Sequence, residues 1–252
     1  MSGHSKWATI KHKKAAVDAK KGKIFTKIIK TITVAAKSGG DIESNPTLRL
    51  AVQKAKEANM PQDNIEKAIK KGTGELPGVS YEAVSYEGYG PGGVALLVEA
   101  LTDNKNRMTS EVRNIFSKYG GNLAGAGSVN WLFEKKGFFI INKFTVDEDR
   151  LMSIILDAGA EDLSQEGDTY EIKSQPADYE KVKEALEDSN IKIESAEVTM
   201  IPKNTVKVIG EQAKQVLKLV EMLEESDDVQ NVFSNFDIPD EILKESIKEE
   251  NT

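Results

Sequence analysis

The order of hydrophobic periods between residues 137 and 200 limits the fold more than any other feature. Phe138–Asn142 reads as an apolar strand, and Asp147–Ala158 follows with helical spacing and acids at its start. Ala160–Ser164 and Thr169–Lys173 read as strands on either side of a Glu166-Gly167-Asp168 turn. Ala177–Asp188 is a helix and Ile191–Thr199 a strand. The resulting β-α-β-β-α-β order predicts a split-βαβ, ferredoxin-like module spanning 135–203.

The chain on either side follows other periods. Ile24, Phe25, Ile28, Ile29, Ile32, Ala35 and Ala36 recur at three- and four-residue steps, and Ser38-Gly39-Gly40 ends that helix. Asn45-Pro46 opens a second helix with Leu48, Ala51, Val52, Ala55 and Ala58 inward. Pro61 opens a third, ending near Gly72. These stripes need each other for burial, which predicts a helical domain over 1–75. Linker residues 72–79 lead to strands at Tyr81–Glu87 and Val94–Leu101, a helix at about 105–119, and alternation at Val129, Trp131 and Phe133 that predicts a further strand. A helix at about 207–225 and a strand at Val229–Phe233 come after the ferredoxin-like stretch. Completing the layers joins 79–134 and 204–238 into one discontinuous α/β domain, with the ferredoxin-like domain inserted in it. Residues 239–252 are rich in Glu, Lys and Asn and read as a solvated tail. The expected class is α+β, an N-terminal helical domain plus two α/β domains.

Charge divides the same chain. Residues 1–71 hold 15 Lys and Arg49 against six acids, a net of +10, in a protein whose overall charge is −7. The first forty residues carry ten lysines and a single acid, Asp18. Ordinary solvated helices mix both signs in i,i+4 pairs, so this end predicts contact with a polyanion while the acidic body stays in solution. Trp7 and His12 interleave with the lysines and suit stacking on bases. The candidate nucleic-acid contacts are His4, Lys6, Trp7, Lys11, His12, Lys13, Lys14, Lys20, Lys21, Lys23, Lys27 and Lys30. A secondary polar cluster, Asp103, Asn104, Asn106 and Arg107, reads as a strand end and helix cap where Arg107 and Arg113 are placed to meet phosphate or an acidic partner. Residues 134–204 carry a net −8, which suits a basic protein partner and opposes unaided nucleic-acid binding there.

Catalytic and cofactor chemistry finds little support. With no cysteine there is no thiolate nucleophile and no Cys-type zinc site. His4 and His12 lack ligand-spaced companions, so no metal is expected. Gly88-Tyr89-Gly90-Pro91-Gly92-Gly93 satisfies the letters of a dinucleotide loop, but it precedes a strand where that fingerprint needs a helix, and Pro91 lacks an N–H. It reads as a connection between paired strands. No cofactor and no enzymatic activity are expected. The absence of a long apolar run or a signal-peptide core predicts a cytoplasmic protein with no membrane partner.

Three stretches carry a resemblance: Gly3-His4-Ser5-Lys6-Trp7 through Ile24-Phe25-Thr26-Lys27; Ala58-Asn59-Met60-Pro61 through Gly72-Thr73-Gly74; and Tyr86-Glu87-Gly88-Tyr89-Gly90-Pro91-Gly92-Gly93 with Thr102-Asp103-Asn104-Lys105-Asn106-Arg107. In these the chain resembles the YebC/PmpR family, whose mitochondrial relatives include the translational activator of cytochrome c oxidase. Met108 departs from the threonine expected after the arginine. The resemblance implies a three-domain, non-enzymatic regulator of gene expression. Its ligand would be promoter DNA, in a transcriptional regulator, or ribosomal RNA, in a ribosome-associated factor acting during translation elongation.

Overall fold

The computed structural model describes residues 18–239 and 241–243. It divides into two compact units, one of residues 131–205 and one of the described residues before 131 and after 205.

In the larger unit, α1 (Asp18–Ala35) continues into a 3-10 turn at Ala36–Ser38. It packs against α2 (Pro46–Glu57) and α3 (Gln62–Thr73). Asn45 organises the first corner. Its Oδ1 accepts from Leu48 N at 3.1 Å, capping α2, while its Nδ2 donates to Ala35 O at 2.9 Å and Gly39 O at 2.8 Å. Ile32, Leu48, Ala55, Ile65 and Ala68 are buried in the shared core, with Phe25, Ile28 and Ile29 packed around them. Gly72 is needed for close approach: a Cβ there would lie 2.4 Å from Thr33 O and 2.6 Å from the Ala36 Cβ.

The same unit holds a four-stranded antiparallel sheet in the order β3-β1-β2-β9. Its strands are β1 (Glu82–Tyr89), β2 (Ala95–Thr102), β3 (Asn122–Ala124) and β9 (Val229–Ser234). Helices α4 (Lys105–Lys118) and α7 (Gly210–Glu225) pack on each other and on this sheet. Alpha-helical stripes explain that burial: Met108, Val112 and Phe116 from α4, and Val216, Leu217, Leu219, Val220 and Leu223 from α7. A short parallel pair, β8 (Val206–Lys207) with β10 (Phe236–Asp237), lies beside the chain's exit.

Two expectations need correction here. The alternation at Val129, Trp131 and Phe133 is not a strand of this sheet. Its place is taken by Asn122–Ala124 on β1, and 130–132 form a 3-10 turn. The N–H groups of Val129 and Asn130 are drawn to the Glu87 carboxylate, so they do not join a ladder. The reading of 239–252 as a solvated tail fails at Leu243, which is fully buried; residues 244–252 lie outside the described set.

Residues 131–205 form β4 (Phe133–Asn142), α5 (Glu148–Asp157), β5 (Ala160–Glu166), β6 (Thr169–Ser174), α6 (Tyr179–Asp188) and β7 (Ile193–Pro202). The sheet order β5-β6-β4-β7, with every pairing antiparallel, is the ferredoxin-like arrangement. Asp147 caps α5 by accepting from Asp149 N and Arg150 N. Phe139, Ile141 and Ile172 of the sheet meet Leu151, Ile155, Val182 and Leu186 of the helices. The Phe139 and Tyr179 rings stack with centroids 5.0 Å apart.

Candidate nucleic-acid interface

Six of the basic-arm positions and Trp7 (His4, Lys6, Lys11, His12, Lys13 and Lys14 being the others) lie outside the described residues. Lys20 and Lys21 belong to α1 by backbone. Lys23, Lys27 and Lys30 are described, and steps of four and three place them along one face of α1. That face meets the C-terminal end of α7. Lys23 Nζ donates to Glu225 O at 3.3 Å, and Lys27 Nζ to Glu224 O at 2.8 Å. Lys30 Nζ donates to Asp227 O at 2.8 Å and pairs with Asp228 Oδ1. The last carbonyls of a helix have no partner within it and carry the negative end of its dipole, so ammonium groups are well matched there.

Lys30 therefore departs from its expected role. It is buried, 6% exposed, with its ammonium committed to Asp227 and Asp228 and lying 5.5 Å from the centre of the Tyr81 ring. So placed, it is turned toward the protein in this structure. Lys23 stays exposed and Lys27 half-buried.

Asp228 joins this face to the secondary polar cluster. Its Oδ2 accepts from Arg107 Nη2 at 2.8 Å and from Thr102 Oγ1 at 2.8 Å. Arg107 Nη2 also donates to Asp103 Oδ1 at 2.6 Å, and Asn104 Oδ1 caps α4 by accepting from Arg107 N at 3.0 Å. Burial by itself would raise the Asp228 pKa, but the donors Lys30, Arg107 and Thr102 outweigh it and hold the carboxyl below its ordinary value. The bonds that Arg107 donates to Asp228 and Asp103 push its own pKa further up. The structure thus brings together Asp103, Asn104 and Arg107 with a basic-face lysine. Asn106 is exposed on α4, where its carbonyl accepts from the Ser110 hydroxyl at 3.0 Å. Arg113 is exposed on the same helix. Met108 is fully buried between these polar neighbours, so the position faces the core.

Glu87 is a structural residue that pattern reading passed over. Its carboxylate accepts from Gly127 N at 2.7 Å, Val129 N at 2.6 Å and Asn130 N at 2.9 Å. Burial opposes its ionisation, yet the Val129, Gly127 and Asn130 donors prevail and lower its pKa. A glutamate within a strand, flanked by Gly88 and followed by a glycine-rich stretch from 120 to 127, is the available signal. Gly88 itself admits no side chain, since a Cβ would sit 2.5 Å from the Phe116 ring and 2.7 Å from Asn122 O. The glycine loop after it is a strand connection: Gly90 N donates to Val94 O at 2.8 Å, and Tyr89 pairs with Ala95. Among the described residues no helix is long and apolar enough to cross a membrane.

Known proteins match this architecture along its length. Residues 5–75 match the TACO1/YebC N-terminal domain, and 81–236 match the TACO1/YebC second and third domains. A probable transcriptional regulatory protein of Desulforapulum autotrophicum is 60% identical over 96% of this chain and 98% of its own length. One from Desulfatibacillum aliphaticivorans is 57% identical over 97% of this chain and all of its own. The crystal structure of a conserved hypothetical protein from Aquifex aeolicus, 49% identical, superposes with a TM-score of 0.78 over 91% of this chain and 95% of that one. With all three family domains matched in order and relatives aligned nearly end to end, the chain belongs to the TACO1/YebC family.

Proposed function

We propose that this protein is a non-enzymatic regulator of gene expression that binds nucleic acid, in the cytoplasm, through its basic leading segment. The observation that carries this reading is the net +10 of residues 1–71 in a chain of net −7. The names of the relatives, probable transcriptional regulatory proteins, favour DNA as the ligand. Because Lys23, Lys27 and Lys30 are engaged within the chain, the first contacts fall to the residues before them, His4 through Lys21. Binding to a promoter duplex should weaken with salt by roughly 0.9 log units per log unit of salt for each phosphate neutralised. Footprinting at physiological salt tests the reading. A protected sequence supports a specific operator, and uniform binding to all DNA counts against one.

A second reading, a ribosome-associated translation factor, is favoured by Trp7 and His12 among the lysines, because stacking groups in a basic segment suit unpaired bases. Co-sedimentation with ribosomes decides it. The intact chain should pellet and a chain lacking residues 2–20 should not; equal pelleting removes the segment's role. In either reading, the acidic 131–205 unit is the proposed dock for a basic protein partner, and capture of that partner should fail when the unit is deleted.

A further inference from the structure

The lysines that α1 turns toward α7 have found, inside the chain, the same chemistry that a phosphate backbone offers. Five of the eight residues from Glu221 to Asp228 are acidic. This stretch ends α7 and turns into β9, so it combines carboxylates with the last carbonyls of a helix, which have no acceptor role left within it. Its carbonyls accept from Lys23 and Lys27 at the outer end and from Lys30 at the inner end.

We propose that the Glu221–Asp228 segment is a built-in polyanion mimic: it occupies the lysine face of α1, and a nucleic-acid backbone reaches that face only by displacing it. The inference rests on the nucleic-acid reading above and adds a closed state to it. Three features grade the contact from loose to tight. Lys23 is exposed and its bond is the longest of the set. Lys27 is half-buried on a shorter bond. Lys30 is buried against Asp228, and Asp228 is itself held by Arg107 and Thr102, so this acceptor cannot follow a departing lysine. Exchange of carbonyl for phosphate therefore starts at Lys23 and meets its barrier at Lys30, which makes the Lys30–Asp228 pair the latch. A ligand that binds only the open form binds more tightly when the latch is weakened, and the ligand in turn opens it.

The experiment uses the full chain and two polymers, an unstructured oligouridine and a mixed-sequence DNA duplex. The protein lacks cysteine, so Gln53→Cys and Ser117→Cys place two labels, one on exposed α2 and one on exposed α4, without competing sites. Their separation is expected to widen when either polymer saturates the protein. Asp228→Asn is expected to bind the polymer about tenfold more tightly and to show the wider separation without it. Unchanged affinity and unchanged separation in a variant that keeps its circular dichroism overturn the inference. If that variant does not fold, the wild-type labels decide: a separation unmoved by bound RNA and bound DNA overturns it equally. Binding with unmoved labels removes this inference and leaves the nucleic-acid reading standing. Retention of neither polymer by either protein removes both. A response to one polymer only assigns the displacing ligand.

Discussion

Residues 131–205 and the larger unit each build a four-stranded antiparallel sheet with two helices, yet they are assembled on opposite plans. The first draws every strand from one continuous stretch, and its core is apolar. Ion pairs such as Lys173–Asp162 and Lys181–Asp178 join at least partly exposed residues close in sequence, and the unit's more sheltered Lys136 meets Glu161 only 25 residues on. The second takes its fourth strand from beyond residue 228 and pairs Lys30 with an acid 198 residues away, both side chains largely buried. Contiguous modules can rely on local pattern and non-directional burial. A unit closed by distant segments also uses directional polar locks, because apolar contact by itself does not choose among several edges.

Cutting the chain is expected to expose that difference most strongly. A fragment of residues 131–205 should melt cooperatively by circular dichroism. A fragment of residues 79–130 should not, because it loses β9 and the six buried side chains of α7. A cooperative transition in the second fragment would erase the contrast.

Next in size is Asp228→Ala, which strands the buried Lys30 ammonium and one arm of Arg107. Removing one partner of a buried pair costs about 3 kcal/mol, to be read from urea unfolding. A loss below about 1 kcal/mol would mean that the lock is ornamental.

Glu87→Gln should cost about 1–2 kcal/mol at neutral pH, through the weakened hold on three N–H groups. Glu87 and Asp228 both have lowered folded pKa values, so their stabilisation is present above the ordinary carboxylate range and is lost as pH falls through the folded values. The gap between wild type and Glu87→Gln should therefore narrow only as pH falls beneath the ordinary glutamate range, through the lowered folded value where the native carboxyl takes up its proton. A gap that persists in acid would show that shape, and not charge, sets the effect.

The smallest effect belongs to the contiguous unit. Asp162→Ala removes a surface partner of Lys173 and should change stability by less than about 1 kcal/mol. A larger loss in urea unfolding would give the two units the same dependence on charge.

Much of the fold was open to reading from periods. The stripe Leu48, Ala51, Val52 and Ala55 is buried in α2, and Val216, Leu217, Leu219, Val220 and Leu223 are buried in α7, because helical spacing commits a side chain to a face before any partner is chosen. The ferredoxin-like order follows from the same logic. Beta strand β3 was missed because three residues carry too short a pattern, while Val129, Trp131 and Phe133 imitate alternation. The polar cluster was half legible. Asn104 as a cap follows from its place before a helix, but its link to Lys30 through Asp228 crosses more than a hundred residues. The one hint was a lysine set among Ile28, Ile29 and Ile32.

By itself, the chain of residues determined which segments are helices, which stretch forms a self-contained βαββαβ module, and that positive charge gathers at one end. Those properties arise from neighbours a few positions apart and from composition. Only the tertiary structure decided that β9 lies along β2, that Glu87 gathers the 127–130 backbone, and that three lysines of α1 meet the end of α7. Hydrogen bonds and ion pairs act over a few ångströms, and which groups come within that reach is set by how the elements pack.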